Sequence, residues 1–318
     1  MSTGRPVRLG AAALAVTLTL SGCAGMDSDA GTDSDGTQGT VKIAINPWVG
    51  YEANAAVVAY LLKEELGYTV EEKNLKEEIS WQGFETGEVD VILENWGHED
   101  LKQTYIEEKK VAVAVGPTGN TGTIGWYVPE WMVQEYPDIT DWNNLNKYAE
   151  LFRTSESESK GQLLDGDPSY VTNDEALVAN LGLDYKVVYS GSEAASIKAA
   201  QQATAQRTPL LFYFYEPQWL FSQETYVRIE LPPYATGCDA DPTTVACDYP
   251  EYVLDKVAST SFAENGGDAY ELVRNFQWTN DDQNQVSDYL TNEGLSPEEA
   301  ARKWVDANED TWRAWIPS

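Results

Sequence analysis

Histidine is almost absent from this chain: His98 is the only one in 318 residues, and there are only three cysteines. Those two shortages remove most of the material for a histidine-based catalytic triad or a Cys/His metal site, and no metal or cofactor is expected. Basic residues are also in deficit, with 21 Lys and Arg against 52 Asp and Glu, a formal net charge of −31. So acidic a surface repels nucleic acid and anionic lipid, and neither is an expected partner. It also keeps a protein soluble at high ionic strength, where salt screens the self-repulsion. No Gly-x-Ser-x-Gly elbow and no glycine-rich phosphate loop occur. Past residue 23, no apolar run approaches the roughly 18 residues of a membrane-crossing helix.

The first 23 residues carry an address. Arg5 and Arg8 form a basic head, Leu9 to Leu20 is an almost unbroken apolar run, and Leu20-Ser21-Gly22-Cys23 ends it. Small residues before a cysteine are what a lipoprotein signal peptidase requires. Residues 1–22 therefore read as an export signal, and Cys23 as the acylated new N-terminus. The tether that follows, to residue 40, is dominated by Gly, Ser, Thr and Asp with no aromatic residue, a composition that cannot bury a core. The expectation is an extracytoplasmic body, monomeric, held to the outer face of the cell membrane by its lipid alone. In such a compartment Cys238 and Cys247, nine apart in a turn-rich segment, read as a local disulfide.

Strand and helix signals alternate through the body. Val41–Asn46 is a β-rich run stopped by Pro47, Tyr51–Leu66 has helical spacing, and Thr69–Asn74, Val89–Leu93 and Val111–Val115 are further strand candidates separated by short helices. Thr123–Val128 reads as the segment that crosses into a second lobe. The pattern repeats through Gln162–Leu164, Asn173–Leu181, Tyr185–Tyr189, Glu193–Ala203 and Pro209–Phe214, and the last third reads as helical, with a capping box at Ser296 and Glu299. The expected class is α/β with two lobes, each a mostly parallel sheet flanked by helices and a ligand cleft at the strands' carboxyl ends. Residues 41–125 form the first part of lobe 1, 126–222 lobe 2, and 223–318 the return to lobe 1.

Eleven Trp and 18 Tyr are more than core filling needs, and their positions matter more than their number. Trp48, Trp96 and Tyr215 each follow or end a strand candidate, facing the expected cleft. Several aromatic faces can enclose a cation that has no N–H to donate, namely a quaternary ammonium. Trp81, Trp142, Trp278, Trp304, Trp312 and Trp315 lie in or beside helix candidates and are expected to pack.

The succession Asn46-Pro-Trp48, then Gly87-Glu-Val-Asp-Val-Ile-Leu-Glu-Asn-Trp96, then Tyr213-Phe-Tyr-Glu-Pro-Gln-Trp219 resembles the glycine betaine/choline-binding proteins of ABC importers, the ProX/OpuAC type. The resemblance covers roughly residues 41–315. It implies a type II binding-protein fold, a membrane permease as partner, and an aromatic cage to which Trp126 and Tyr170 also contribute. It leaves the ligand open: an acidic residue of choline-binding members is Gly50 here, and a histidine of betaine-binding members is Gln218. A betaine carboxylate would then rely on the backbone N–H groups of Gly50 and Tyr51 at a helix N-terminus, with Gln218 or His98 as further donors. Two other readings of the residues remain: a receptor for another small solute such as a sugar or amino acid, with Arg153, Arg207 or Arg228 as carboxylate partner, or a carboxylate-based hydrolase using Glu94, Glu99 or Glu216.

Overall fold

Val41 and Ile43 alternate inward to make β1 (Thr40–Ile45), Pro47 stops it, and the chain returns through α1 (Val49–Glu64). The structure, a computed structural model, describes residues 38–170 and 172–317. The leader, Cys23 and most of the tether lie outside the described residues. Small residues at 53, 55, 56 and 59 let α1 sink between the sheet and later helices, so that most of its circumference is buried. β2 (Thr69–Asn74), α2 (Glu77–Thr86) and β3 (Val91–Asn95) complete a parallel array in the order β2-β1-β3. α3 (Glu99–Lys102) runs on into a π-helical turn at Gln103–Glu108.

The next strand, β4 (Ala112–Pro129), spans 18 residues and links the two halves of the molecule. After α4 (Glu130–Glu135) and a 3-10 helix at Trp142–Phe152, the second half is built from β5 (Gly161–Asp165), α5 (Asp174–Asn180), β6 (Tyr185–Tyr189), α6 (Glu193–Gln206) and β7 (Phe212–Glu216). Here β5 lies parallel to both β6 and β7. α7 (Leu220–Gln223) and β8 (Tyr226–Arg228) lead to a loop in which Cys238 and Cys247 stand side by side, their Cα atoms 6.3 Å apart. β9 (Glu251–Ser259) then pairs with β4 and β3 and carries the chain back. α8 (Thr260–Asn265), α9 (Gly267–Asn275), α10 (Asn280–Thr291), α11 (Pro297–Ala307) and α12 (Glu309–Trp312) close the first half.

The sheet order is β2-β1-β3-β9-β4-β7-β5-β6, with β8 on β4. Each half has the expected parallel array, β2-β1-β3 in one and β7-β5-β6 in the other, and the centre where they join is antiparallel. The antiparallel centre consists of the two crossing strands. Of these, β9 was not visible as a strand, because Glu251, Asp255 and Lys256 interrupt its apolar pattern. The helical expectations at the C-terminus hold, including the capping box at Ser296 and Glu299. Trp81, Trp278, Trp304, Trp312 and Trp315 are buried in packing roles; the Trp304 and Trp315 rings stack at 5.8 Å and Trp278 meets Trp304 edge-on. Among the described residues no helix is long and apolar enough to cross a membrane.

Lys256 is the one anomaly of the crossing strand. It is fully buried, and its Nζ donates to the carbonyls of Arg274 (3.1 Å) and Phe276 (2.5 Å) at the C-terminal end of α9. Burial pushes its pKa down to about 7. An unfolded chain keeps the proton up to the ordinary lysine value of 10.5, while the folded one has released it above about 7. Between those limits the unfolded state binds more protons, so stability contributed at this site rises with pH; below about 7 the difference is constant. We expect the unfolding free energy of the native protein minus that of Lys256→Met to climb between pH 7 and 10, by up to about 1.4 kcal/mol per unit. A flat difference in denaturant titrations would show that Lys256 keeps its charge inside.

Candidate functional site

Trp48 caps α1 at the end of β1, Trp96 follows β3, Tyr170 follows β5, and Tyr213 and Tyr215 share one face of β7. These rings meet between the two halves of the sheet. Together with Glu77, His98, Ile124 and Tyr252 they line a cavity partly open to solvent. The rings stand edge-to-face around it: Trp48 and Tyr170 are 5.8 Å apart at 88°, Trp96 and Tyr215 5.7 Å at 74°, Trp96 and Tyr252 5.7 Å at 62°, and Tyr170 and Tyr215 6.2 Å at 77°. Edge-to-face packing fixes each ring and leaves negative π-faces available to a guest.

One carboxylate holds both tryptophans. Glu94 Oε1 accepts the indole N–H of Trp48 at 2.7 Å and that of Trp96 at 2.8 Å, while Oε2 accepts Asn54 Nδ2 at 2.5 Å and Gln283 Nε2 at 3.0 Å. Burial pushes Glu94 up to about 7, the N–H groups of Trp48, Trp96 and Gln283 draw it back, and the charge of Glu193 adds to the rise. With four N–H donors converging on two oxygens, no position remains for a proton, so the donor set favours the ionised form.

A second buried carboxylate bridges the halves. Glu193, in the first turn of α6, accepts the backbone N–H of Val49 at 2.9 Å from the opposite half, Gln218 Nε2 at 2.6 Å and the Tyr215 hydroxyl at 2.5 Å. Burial raises its pKa, and these three donors oppose the rise. The Tyr170 hydroxyl crosses the same boundary, donating to the Pro47 carbonyl at 2.9 Å.

Of the residues singled out in the sequence, Trp48, Trp96, Tyr215, Tyr170 and His98 are brought to this cavity, whereas Trp126, Gly50, Tyr51 and Gln218 do not line it. Trp126 is fully buried and donates its indole N–H to Asp174 at 2.8 Å. In the register Ile124 stands opposite Tyr215 and Trp126 opposite Tyr213; Ile124 and both tyrosines line the cavity, whereas the Trp126 indole is taken up by Asp174. Tyr51 lies beneath Trp48, ring to ring at 5.5 Å, and its hydroxyl accepts the Leu93 N–H. Gly50 serves a close approach, since a Cβ there would sit 2.3 Å from Gln283 Nε2, the amide that reaches Glu94. Gln218 is turned away onto Glu193. His98 pairs with Glu77 at 2.9 Å; burial alone would lower its pKa, but the Glu77 hydrogen bond and charge outweigh burial and hold it raised.

Glu94, Glu99 and Glu216 do not converge: Glu94 is locked behind the rings and the other two are exposed. Arg153, Arg207 and Arg228 pair with Glu150, Glu135 and Asp248, and none of them lines the cavity. Among the described residues there is no cluster able to hold a metal ion. The sequence reading missed Tyr213, Tyr252, Glu77 and the anchoring roles of Glu94 and Glu193. A signal for Glu94 existed: a lone charge inside the apolar run Val91-Ile-Leu-Glu-Asn95, two residues before Trp96 and so on its face.

Residues 39–307 match the family model described as the substrate-binding domain of the ABC-type glycine betaine transport system, OpuAC. A curated relative, the glycine betaine/carnitine transport binding protein GbuC of Listeria monocytogenes, is 26% identical over 126 residues, 40% of this chain and 38% of that protein. The lactococcal OpuAC structure, closed and complexed with glycine betaine, superposes with a TM-score of 0.68 at 21% identity, covering 87% of this chain and 99% of its own. An ABC-transporter choline-binding protein in complex with choline superposes with a TM-score of 0.70 at 18% identity, covering 87% and 91%. At those identities the structures establish a shared two-lobed fold, and the family match covers most of the length. The chain belongs to the substrate-binding domains of ABC-type glycine betaine transport systems.

Proposed function

We propose that this protein is the solute receptor of an ABC importer, capturing a quaternary ammonium ion between its two lobes and delivering it to the permease. The observation that carries the reading is the cage itself: Trp48, Trp96, Tyr170, Tyr213, Tyr215 and Tyr252 wall one cavity, and an ionised carboxylate lies behind the two tryptophans. Such rings attract a trimethylammonium head by cation–π and dispersion, on the order of 1–2 kcal/mol per desolvated ring. Ligands of that class are bound by the lactococcal and choline-binding structures and named for the Listeria relative. Lobe 1 comprises residues 41–125 with the return through β9 and the C-terminal helices, and lobe 2 the residues between, β8 and the cysteine loop lying against it. Because the walls come from both lobes, ligand contacts favour the form in which the lobes meet, and that form is the one for the permease to recognise. Cys23 supplies the lipid anchor, residues 24–40 the leash, and Cys238–Cys247 a disulfide that ties the loop ahead of β9; the receptor works as an extracytoplasmic monomer.

Calorimetry on the purified mature protein, with glycine betaine, choline, carnitine and proline betaine against a sugar and an amino acid, tests the reading. Saturable binding confined to quaternary ammonium ions is expected. A folded, ligand-free protein silent to all four, or one preferring the sugar or amino acid, would refute it.

A further inference from the structure

The donors and charges around the cage indicate which kind of quaternary ammonium it takes. A zwitterion brings a carboxylate that must exchange its water for N–H donors or a cation, and leaving it uncompensated is costly. Most side-chain donors at the wall are already committed. Both indole N–H groups go to Glu94, the Tyr215 hydroxyl to Glu193, the Tyr170 hydroxyl to the Pro47 carbonyl, and His98 Nε2 is paired with Glu77. The backbone at Gly50 and Tyr51 does not reach the cavity, and among the described residues no Lys or Arg lines it. The hydroxyls of Tyr213 and Tyr252 and the Nδ1 of His98 remain; the two hydroxyls are neutral and suit an alcohol as well as an acid, and the charge of a protonated His98 is already answered by Glu77.

The charges around the cage are predominantly negative. Glu94 and Glu193 lie buried behind its walls, and Glu77 stands in the wall itself, offset only by His98. An open groove shares Trp96, His98 and Tyr252 with the cage and leads away from it past Glu99, Asp100, Asp239, Glu251 and Asp255. Lys102, its single lysine, is tied to Asp255 and Glu99. A concave surface carrying one sign of charge focuses the field and raises the local concentration of counter-ions.

We infer that the cage selects a net-cationic quaternary ammonium with a neutral, hydroxyl-bearing tail, of the choline type, over a carboxylate-bearing zwitterion, and that Glu94 sets this preference. This rests on the quaternary-ammonium reading of the same site. Glu94 is a positioning residue: it touches no ligand, but a single oxygen orients both indoles and places a negative charge behind their faces. That charge attracts the ammonium of either ligand and repels the carboxylate of one.

The test is calorimetry with choline, glycine betaine, tetramethylammonium and 3,3-dimethyl-1-butanol, the uncharged carbon isostere of choline, on the native protein and Glu94→Gln. In the native protein choline is expected to bind at least tenfold tighter than glycine betaine, and at least a hundredfold tighter than the isostere, with tetramethylammonium saturable. In Glu94→Gln the choline-to-betaine affinity ratio is expected to fall at least tenfold, a change that a merely loosened cage would not produce. Betaine binding as tightly as choline, or a ratio unmoved in a folded Glu94→Gln, overturns the preference and leaves the receptor reading standing. No binding by any of the three ammonium ions overturns both. Where the variant does not fold, the native protein's choice among choline, betaine and the isostere decides.

Discussion

Trp96→Ala is expected to weaken quaternary ammonium binding by on the order of 30-fold, while the thermal unfolding of the ligand-free protein changes little. The indole is held on every side. Its N–H donates to Glu94, its faces and edges meet Tyr215 and Tyr252, and it lies so close over Gly122 that a Cβ there would come within 2.5 Å of it. Alanine removes a desolvated cation–π partner worth about 2 kcal/mol, a factor of roughly 30 in affinity. It also leaves Glu94 with three donors where it had four, so the remaining tryptophan is less firmly aimed. The ring is only partly buried, which keeps the cost to folding small. Gly122→Ala should act in the same direction with every cage ring retained, because the new methyl group displaces the indole. Titration of both variants by intrinsic fluorescence and calorimetry is decisive: an affinity within twofold of native in a folded Trp96→Ala would remove Trp96 from the binding surface.

Much of the cage was legible because it obeys a positional rule. In an open α/β sheet the ligand sits beyond the carboxyl ends of the strands, so Trp48 and Trp96, each just past a strand, could be assigned to the cleft from spacing alone. The period of two along β7 would likewise have given Tyr213 beside Tyr215. What spacing does not reveal is depth. Trp126 and Ile124 share a face of β4, yet the isoleucine lines the cavity while the tryptophan is buried with its indole on Asp174, a partner 48 residues away. Nor does it reveal partners remote in the chain. Gln283 reaches Glu94 across 189 residues, and Glu193 reaches Val49 across 144. β9 escaped notice because its charges are specific to place: Lys256 caps the carbonyls at the end of α9 and Asp255 accepts from Asn95, so a pattern read as polar loop is an interior crossing strand.

Glu193→Ala should weaken ligand binding by one to two orders of magnitude from outside the cage, by loosening the lobes. Glu193 stands at the N-terminus of α6 and accepts from Val49 at the N-terminus of α1, so two helix dipoles from opposite halves point at one carboxylate. Its other donors, Tyr215 and Gln218, belong to the half that carries Glu193, which ties the bridge directly to a cage wall. Alanine leaves the Tyr215 hydroxyl, the Gln218 amide and the Val49 N–H without their acceptor. Hydrogen bonds to a charged group contribute about 1.5–3 kcal/mol each, and these three share one carboxylate, so their losses do not add in full. Because the bridge exists only where the lobes meet, its loss disfavours that form and lowers apparent affinity by the fraction of molecules still able to close. Small-angle scattering of ligand-free Glu193→Ala should show a larger radius of gyration than native, and saturating ligand should restore the native curve. Glu193→Gln, which keeps an acceptor oxygen for Val49, should fall between the two. Native affinity together with an unchanged scattering curve in Glu193→Ala would mean that closure rests on the ligand and on the other contacts across the boundary, the Tyr170 to Pro47 hydrogen bond and the Trp48–Tyr170 and Trp96–Tyr215 ring pairs among them.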